Sequence, residues 1–135
     1  MKALNASIYS RLNGATALTS LLAGTTSVYY LQAPEGAALP YVVFNIQGGG
    51  DVNDTANRLK NLIIFIRGYA TSTVRAGSID SAIDTAIHLV PFTNMTGWTN
   101  IWLARETDLE TVENPPSGSP IYMNGGLYRC FLDAT

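Results

Sequence analysis

The segment from Arg58 to Ala70 constrains this chain more than any other, because its apolar residues fall on both sides of a strand. With a two-residue period, Leu62, Ile64 and Ile66 load one face while Ile63, Phe65 and Tyr69 load the other. Such a strand needs cover on both faces. A chain of 135 residues has enough length for one domain with one core, and a single helical layer covers only one side of a sheet. The second face is therefore closed by a further segment of the same chain or by a neighbour.

The remaining elements supply the first layer and extend the sheet. Leu4, Ile8 and Leu12 share one face of a helix that Asn13-Gly14 ends, and Leu18, Leu21 and Leu22 continue as a short second helix before Gly24. Val28 to Leu31 reads as a short strand, with Ala33-Pro34-Glu35-Gly36 as the turn behind it. After Pro40, Tyr41 to Gln47 alternates, placing Val42, Phe44 and Ile46 on one face and Tyr41, Val43, Asn45 and Gln47 on the other. Gly48-Gly49-Gly50 through Asn57 reads as a flexible hairpin connection.

Ser72 or Thr73 caps the main helix, whose buried stripe is Ile79, Ile83 and Ile87 and which Pro91 stops. Trp98 to Glu106 is another strand, with Ile101 and Leu103 opposite Trp98 and Trp102. Thr107 to Pro120, first acidic and then rich in Pro and Gly, reads as a long arm or loop before a last strand from Leu127 to Leu132. The expectation is one α+β domain over residues 1–135. It has a largely antiparallel sheet of about four to five strands, with the N-terminal helices and one main helix packed on one face. Phe65 and Tyr69, joined by Trp98 and Trp102, then form the open face, which a neighbouring subunit or the Thr107–Pro120 segment folding back would cover.

Eight Lys and Arg against ten Asp and Glu give a net charge of -2, which argues against strong attraction to nucleic acid or anionic membrane. No apolar run approaches the ~20 residues of a membrane helix, and the start has no signal-peptide centre, so the chain is expected to mature in a cytoplasm. Only 13% of residues are charged, against a usual share of roughly 25%. A surface of Thr, Ser, Asn and Gly is covered by protein at little cost in ion desolvation, which favours assembly.

The chemical inventory is thin. Cys130 is the one cysteine, so it forms no intrachain disulfide and no zinc site, and its place in a strand pattern is that of an inert buried thiol. Gly48 to Gly50 is followed by Asp51 and not by Lys-Ser or Lys-Thr, so it is no P-loop. Asp80, Asp84 and His88 fall four apart on the main helix, the most chemical-looking constellation present. A catalytic metal needs three or more converging ligands with outer support, and no H-E-x-x-H motif supplies them; the stripe reads as a solvated or subunit-facing flank. His88 is the only imidazole and no G-x-S-x-G turn exists, so no catalytic residue and no cofactor is expected.

Two charged features remain. Glu106, Asp108, Glu110 and Glu113 place four of the ten acids in eight residues, either as a solvated loop or as a patch docking on bases such as Arg58, Lys60 or Arg129 of a neighbour. Arg67 sits among Phe65, Ile66 and Tyr69, where it makes an ion pair between subunits or snorkels to solvent.

Val28-Tyr29-Tyr30, Ala33-Pro34-Glu35-Gly36-Ala37 and Pro40-Tyr41-Val42-Val43-Phe44, in that order, give the chain a family likeness. It resembles the phage tail-completion family, the tail terminator and tail-to-head joining proteins of long-tailed phages, along its whole length. The resemblance implies a structural virion protein without catalytic residues, assembled in the host cytoplasm and independent of membranes. It also implies a homo-oligomer, usually a hexameric ring, that caps the tail tube protein, meets the head connector or stopper protein, and lets DNA pass through its lumen. Candidate residues for the subunit or tail-tube interface are Phe65, Arg67, Tyr69, Trp98, Trp102, Arg58, Glu106, Asp108, Glu110 and Glu113. Alternatives are a head-completion or stopper protein, a baseplate-hub component, and a small metal-dependent enzyme using Asp80, Asp84 and His88. The Glu106–Pro120 stretch aligns with no family feature.

Overall fold

The structure, a computed structural model, describes residues 1–54 and 56–135. Leu4, Ile8 and Leu12 are buried on one face of α1 (Lys2–Gly14), and Leu18 is buried from the single turn of α2 (Thr16–Thr19). β1 (Val28–Tyr30) pairs in parallel with β2 (Tyr41–Val52), and β2 pairs antiparallel with β3 (Leu59–Ala70). α3 (Thr73–Ile87) then crosses one face to β4 (Trp98–Glu113), and β5 (Ile121–Ala134) returns between β3 and β4, antiparallel to both. The sheet order is β1-β2-β3-β5-β4, a mixed α+β sheet with one parallel pair at its edge.

All three helices lie on one side. Leu62, Ile64, Ile66 and Ala70 of β3 join Val42, Phe44, Tyr128, Cys130 and Leu132 in one buried cluster with Leu4, Ile8, Ile79, Ile83 and Ile87 of the helices. The Ser72 side chain accepts a hydrogen bond from the Arg75 backbone N–H at 3.1 Å and so caps α3, as its place before Thr73 predicts. The helix approaches the sheet closely over Gly68, where an added Cβ would strike the Ile79 side chain.

Three expectations need correction. The glycine run is strand and not connection: β2 continues through Gly48, Gly49 and Gly50, paired with Ile63, Leu62 and Asn61 after an irregularity at Gln47. Gly49 adopts φ +96, and an added Cβ there would collide with the Asn61 carbonyl, so the backbone twist at this point accepts only glycine. The connection starts at Asn53, and Thr55 within it lies outside the described residues.

The second correction concerns Thr107 to Pro120. Thr107 to Glu113 extends β4, paired with Leu127 to Ile121, so both strands of the last hairpin are longer than their apolar cores suggest and only residues 114–120 connect them. The segment therefore does not fold back over the sheet. The third is the face assignment in β4. A bulge at Ile101 leaves that residue 56% exposed, keeps Trp98 against the helix-side core and turns Trp102 to the opposite face, where it is 49% exposed beside Phe131.

The Gly68 contact is directly testable. Gly68→Ala should lower the stability by about 1–3 kcal/mol through overpacking against Ile79. Combining it with Ile79→Ala, which removes the Cγ2 methyl that the new Cβ would strike, should cost less than the sum of the two single substitutions in urea-unfolding midpoints.

Candidate assembly surface

The face of the sheet away from the helices is built by the alternate residues of its strands. Ile63, Phe65, Arg67 and Tyr69 of β3 stand beside Leu127 and Phe131 of β5, all half-buried, while Val43, Ala104 and Met123 are buried between them and lie outside the helix-side cluster. At one end, Tyr41 bridges Tyr29 and Tyr69 with ring centroids 5.8 Å and 5.3 Å apart, and burial beside Tyr69 raises the Tyr41 pKa. The surface is aromatic and low in charge.

Arg67 is its central cation. The guanidinium lies 4.4 Å from the Phe65 ring centroid, and donates to Asn45 Oδ1 at 2.6 Å, to the Tyr69 hydroxyl at 3.1 Å and to the Leu31 carbonyl at 3.4 Å. No carboxylate pairs with it within the described residues. It is held across the face by neutral acceptors and by stacking, which is neither a full snorkel nor an internal ion pair.

The other predicted residues separate. Trp98 lies on the helix side with Arg58 and Lys60 near its ring, and both of these cations pair with Asp51, at 3.3 Å and 2.6 Å. Glu106 pairs with Arg129 of the adjacent strand at 2.8 Å, so part of the acidic stretch is satisfied within its own chain. Asp108 pairs with Arg105 at 2.6 Å. Glu110 and Glu113 are exposed and carry no ion pair among the described residues, with Glu113 on the rim of a shallow recess that Arg67, Tyr69 and Tyr41 line.

The stripe of Asp80, Asp84 and His88 is not a solvated flank. It faces Arg105, a residue the sequence reading passed over. The guanidinium makes a bidentate contact with Asp80, 2.9 Å to each oxygen, and donates to the Tyr128 hydroxyl at 3.1 Å and the Gly125 carbonyl at 3.0 Å. Tyr128 in turn donates to Asp84 at 3.1 Å, and the Arg105 backbone N–H donates to His88 Nδ1 at 3.0 Å. Burial opposes the Arg105 charge, but the hydrogen bonds it donates to Asp80, Asp108 and Tyr128 outweigh it and raise its pKa. Among the described residues no group of three His, Cys, Asp or Glu side chains converges on a metal position.

Asn100 is the other residue that sequence reasoning missed. Its amide donates to the carbonyls of Trp102 and Phe131, and its oxygen accepts from the Phe92 N–H at 2.8 Å, which satisfies the backbone around the Ile101 bulge. It also touches Cys130 Sγ at 3.5 Å; that thiol is fully buried and burial pushes its pKa up to about 12. The structure thus places an aromatic sheet face on one side, a helix-to-hairpin lock on the other, and a buried thiol whose pKa is raised.

Residues 6–117 match the family model for tail completion protein gp17, more than four fifths of the chain. The chain belongs to the phage tail completion family. As a member it is a structural protein of the phage tail and a component of the virion. A chain in the solved virion of a native gene transfer agent particle has the same fold, with a TM-score of 0.80 over 98% of this chain and 96% of that chain at 17% identity. No curated protein matches the sequence. No helix among the described residues of this tail completion protein is long and apolar enough to cross a membrane.

Asp80→Asn should lower stability by about 2–3 kcal/mol, less than a fully buried pair would lose because both side chains keep some solvent contact. Urea unfolding measures it, and Asp108→Asn at the exposed rim should cost under about 1 kcal/mol. The Cys130 thiol gives a pH expectation. Its folded pKa lies above its unfolded value of 9.0, so its contribution is fully present below about pH 9 and is lost as pH rises toward about 12. Iodoacetamide at pH 8.5 should accordingly modify Cys130 only after denaturant is added.

Proposed function

We propose that this tail completion protein is the terminator or tail-to-head joining subunit. Six copies close into a ring on the last layer of the tail tube, and the ring's other rim receives the head connector or stopper. Tube growth stops sterically, because the ring occupies the docking edge of the next tube layer, and DNA passes through the lumen without a base-specific contact. The observation that carries this reading is the uncovered aromatic face of the sheet around Phe65, Tyr69 and Trp102, which the chain's own hairpin leaves open. Its low charge is consistent with burial against protein, since Arg67 already has its neutral acceptors in place.

The ring repeats the same set of contacts between unlike patches of neighbouring copies, the arrangement that closes by rotation. Native mass spectrometry at high protein concentration should give a species of about 87 kDa, six copies of 14.5 kDa. Phe65→Asp should abolish it and leave a folded monomer by circular dichroism, because the substitution puts a carboxylate into the covered face. A persistent hexamer in that variant removes the face from the interface. Particles made without the protein should carry overlong or unjoined tails; leaking heads with tails of normal length point to a stopper instead.

A further inference from the structure

On the helix side, away from the sheet face just described, a cleft of about 940 Å³ opens between α1 and the segment from Phe92 to Trp98. Its α1 wall is made of small side chains, among them Ala3, Ala6 and Ser10, which allow a second backbone to approach closely. Its size is near the upper end of the ~300–1,000 Å³ range of ligand sites and admits several residues of chain, not one side chain.

The cleft is basic. Lys2 and Arg11 line it, and no acidic residue does among the described residues. Arg11 is fixed there by donating to the carbonyls of Ala86, Val90 and Pro91 at 3.0, 2.7 and 3.2 Å, and it stacks 4.6 Å from the Phe92 ring centroid. These acceptors are neutral, so the positive charge remains uncompensated.

The opposite charge sits at the far end of the molecule. From Glu106 to Tyr128 the chain has four acids and no Lys or Arg, and Glu110 and Glu113 have no ion-pair partner among the described residues. The hairpin ends there in Asn114 to Pro120, an exposed tip stiffened by Pro115, Pro116 and Pro120, which loses little entropy on docking. Trp98, at the cleft, and Glu113, at the tip, are the two ends of β4, roughly 50 Å apart at the rise of an extended strand. The tip therefore cannot reach the cleft of its own chain.

We infer that the acidic tip of the β4–β5 hairpin seats in the basic α1 cleft of the next copy. Every copy then gives one tip and receives one, a head-to-tail contact that carries the assembly around a ring. The inference rests on the ring proposed above and assigns one of its contacts, in which charge sets the pairing and the small cleft wall sets the fit.

Cross-linking tests it with two full-length single variants, Ser10→Cys in the cleft wall and Ser117→Cys at the tip, both exposed positions. A bismaleimide is used because it relaxes the strict separation a disulfide requires, and the buried Cys130 gives no background in the natural chain. The mixture should give one covalent dimer, each variant alone should give none, and a chain carrying both cysteines should give a ladder of multimers. Native mass spectrometry of the same samples before cross-linking reads the ring independently. A ring without the mixed dimer overturns this contact and leaves the ring; a mixed dimer without a ring supports the contact and overturns closure. Absence of both overturns both.

Discussion

The Arg105 guanidinium holds the two halves of this fold together. α3 leaves β3 and crosses to the edge strand β4, while β5 enters between them only at the end of the chain. The Asp80 and Asp84 stripe of the helix can meet the hairpin only after that last strand is in place, and Arg105 is where they meet. Its contacts run to the helix through Asp80, to β5 through Tyr128 and the Gly125 carbonyl, and to its own strand through Asp108. Gly126 makes the arrangement sterically possible, since a Cβ at that position would occupy the space of the guanidinium. A side chain that would be expensive to bury alone is fully satisfied here, and the helix register on the sheet follows from it.

With the helices fixed to one side, the opposite side is left to other contacts. Both faces of β3 are apolar, but they are treated differently: Ile64 and Ile66 disappear under α1 and α3, whereas Phe65, Arg67 and Tyr69 stay half-buried. Val43 and Met123 are nonetheless buried on this second side, so it is already packed as a flat surface before any partner arrives. Arg67 fits the same economy of charge. Its acceptors are within the chain, so covering it leaves fewer of its donors unpaired.

Much of this was legible in the sequence, because periodicity reports burial and burial decides most of the elements. The four-residue spacing of Leu4, Ile8 and Leu12, the Ile79, Ile83 and Ile87 stripe, the Ser72 cap and the alternation in β3 all appear where they were expected. What failed was the reading of strand ends. Gly48 to Gly50 and Thr107 to Glu113 lack apolar alternation: at Gly49 an added Cβ would strike the Asn61 carbonyl, and Thr107 to Glu113 is an exposed edge strand beside β5. Pairing with a well-determined neighbour holds both in the sheet, and pairing leaves no single-strand signature. The Ile101 bulge is invisible for the same reason, although Asn100 in the middle of a Trp-Thr-Asn-Ile-Trp run was a sign that backbone groups there needed a polar partner. Arg105 was the costlier omission: the acids on the helix drew attention as ligands, when their spacing equally suits a guanidinium with two helical turns to grip.

The long hairpin also bears on how the terminator proposed above would work. Such a protein must present unlike surfaces to a tube below and a connector above, and an assembly made of two-fold, self-matching contacts presents the same surface in both directions. A repeated contact between different patches keeps all copies pointing the same way, so the two rims of the ring differ. This chain separates its complementary features along one strand, with the basic cleft by Trp98 and the acids Glu110 and Glu113 toward the other end. The two cannot meet within a single copy, and two copies joined once still leave one cleft and one tip free. In the ring proposed above, closure would use all of them and would give assembly a defined end point.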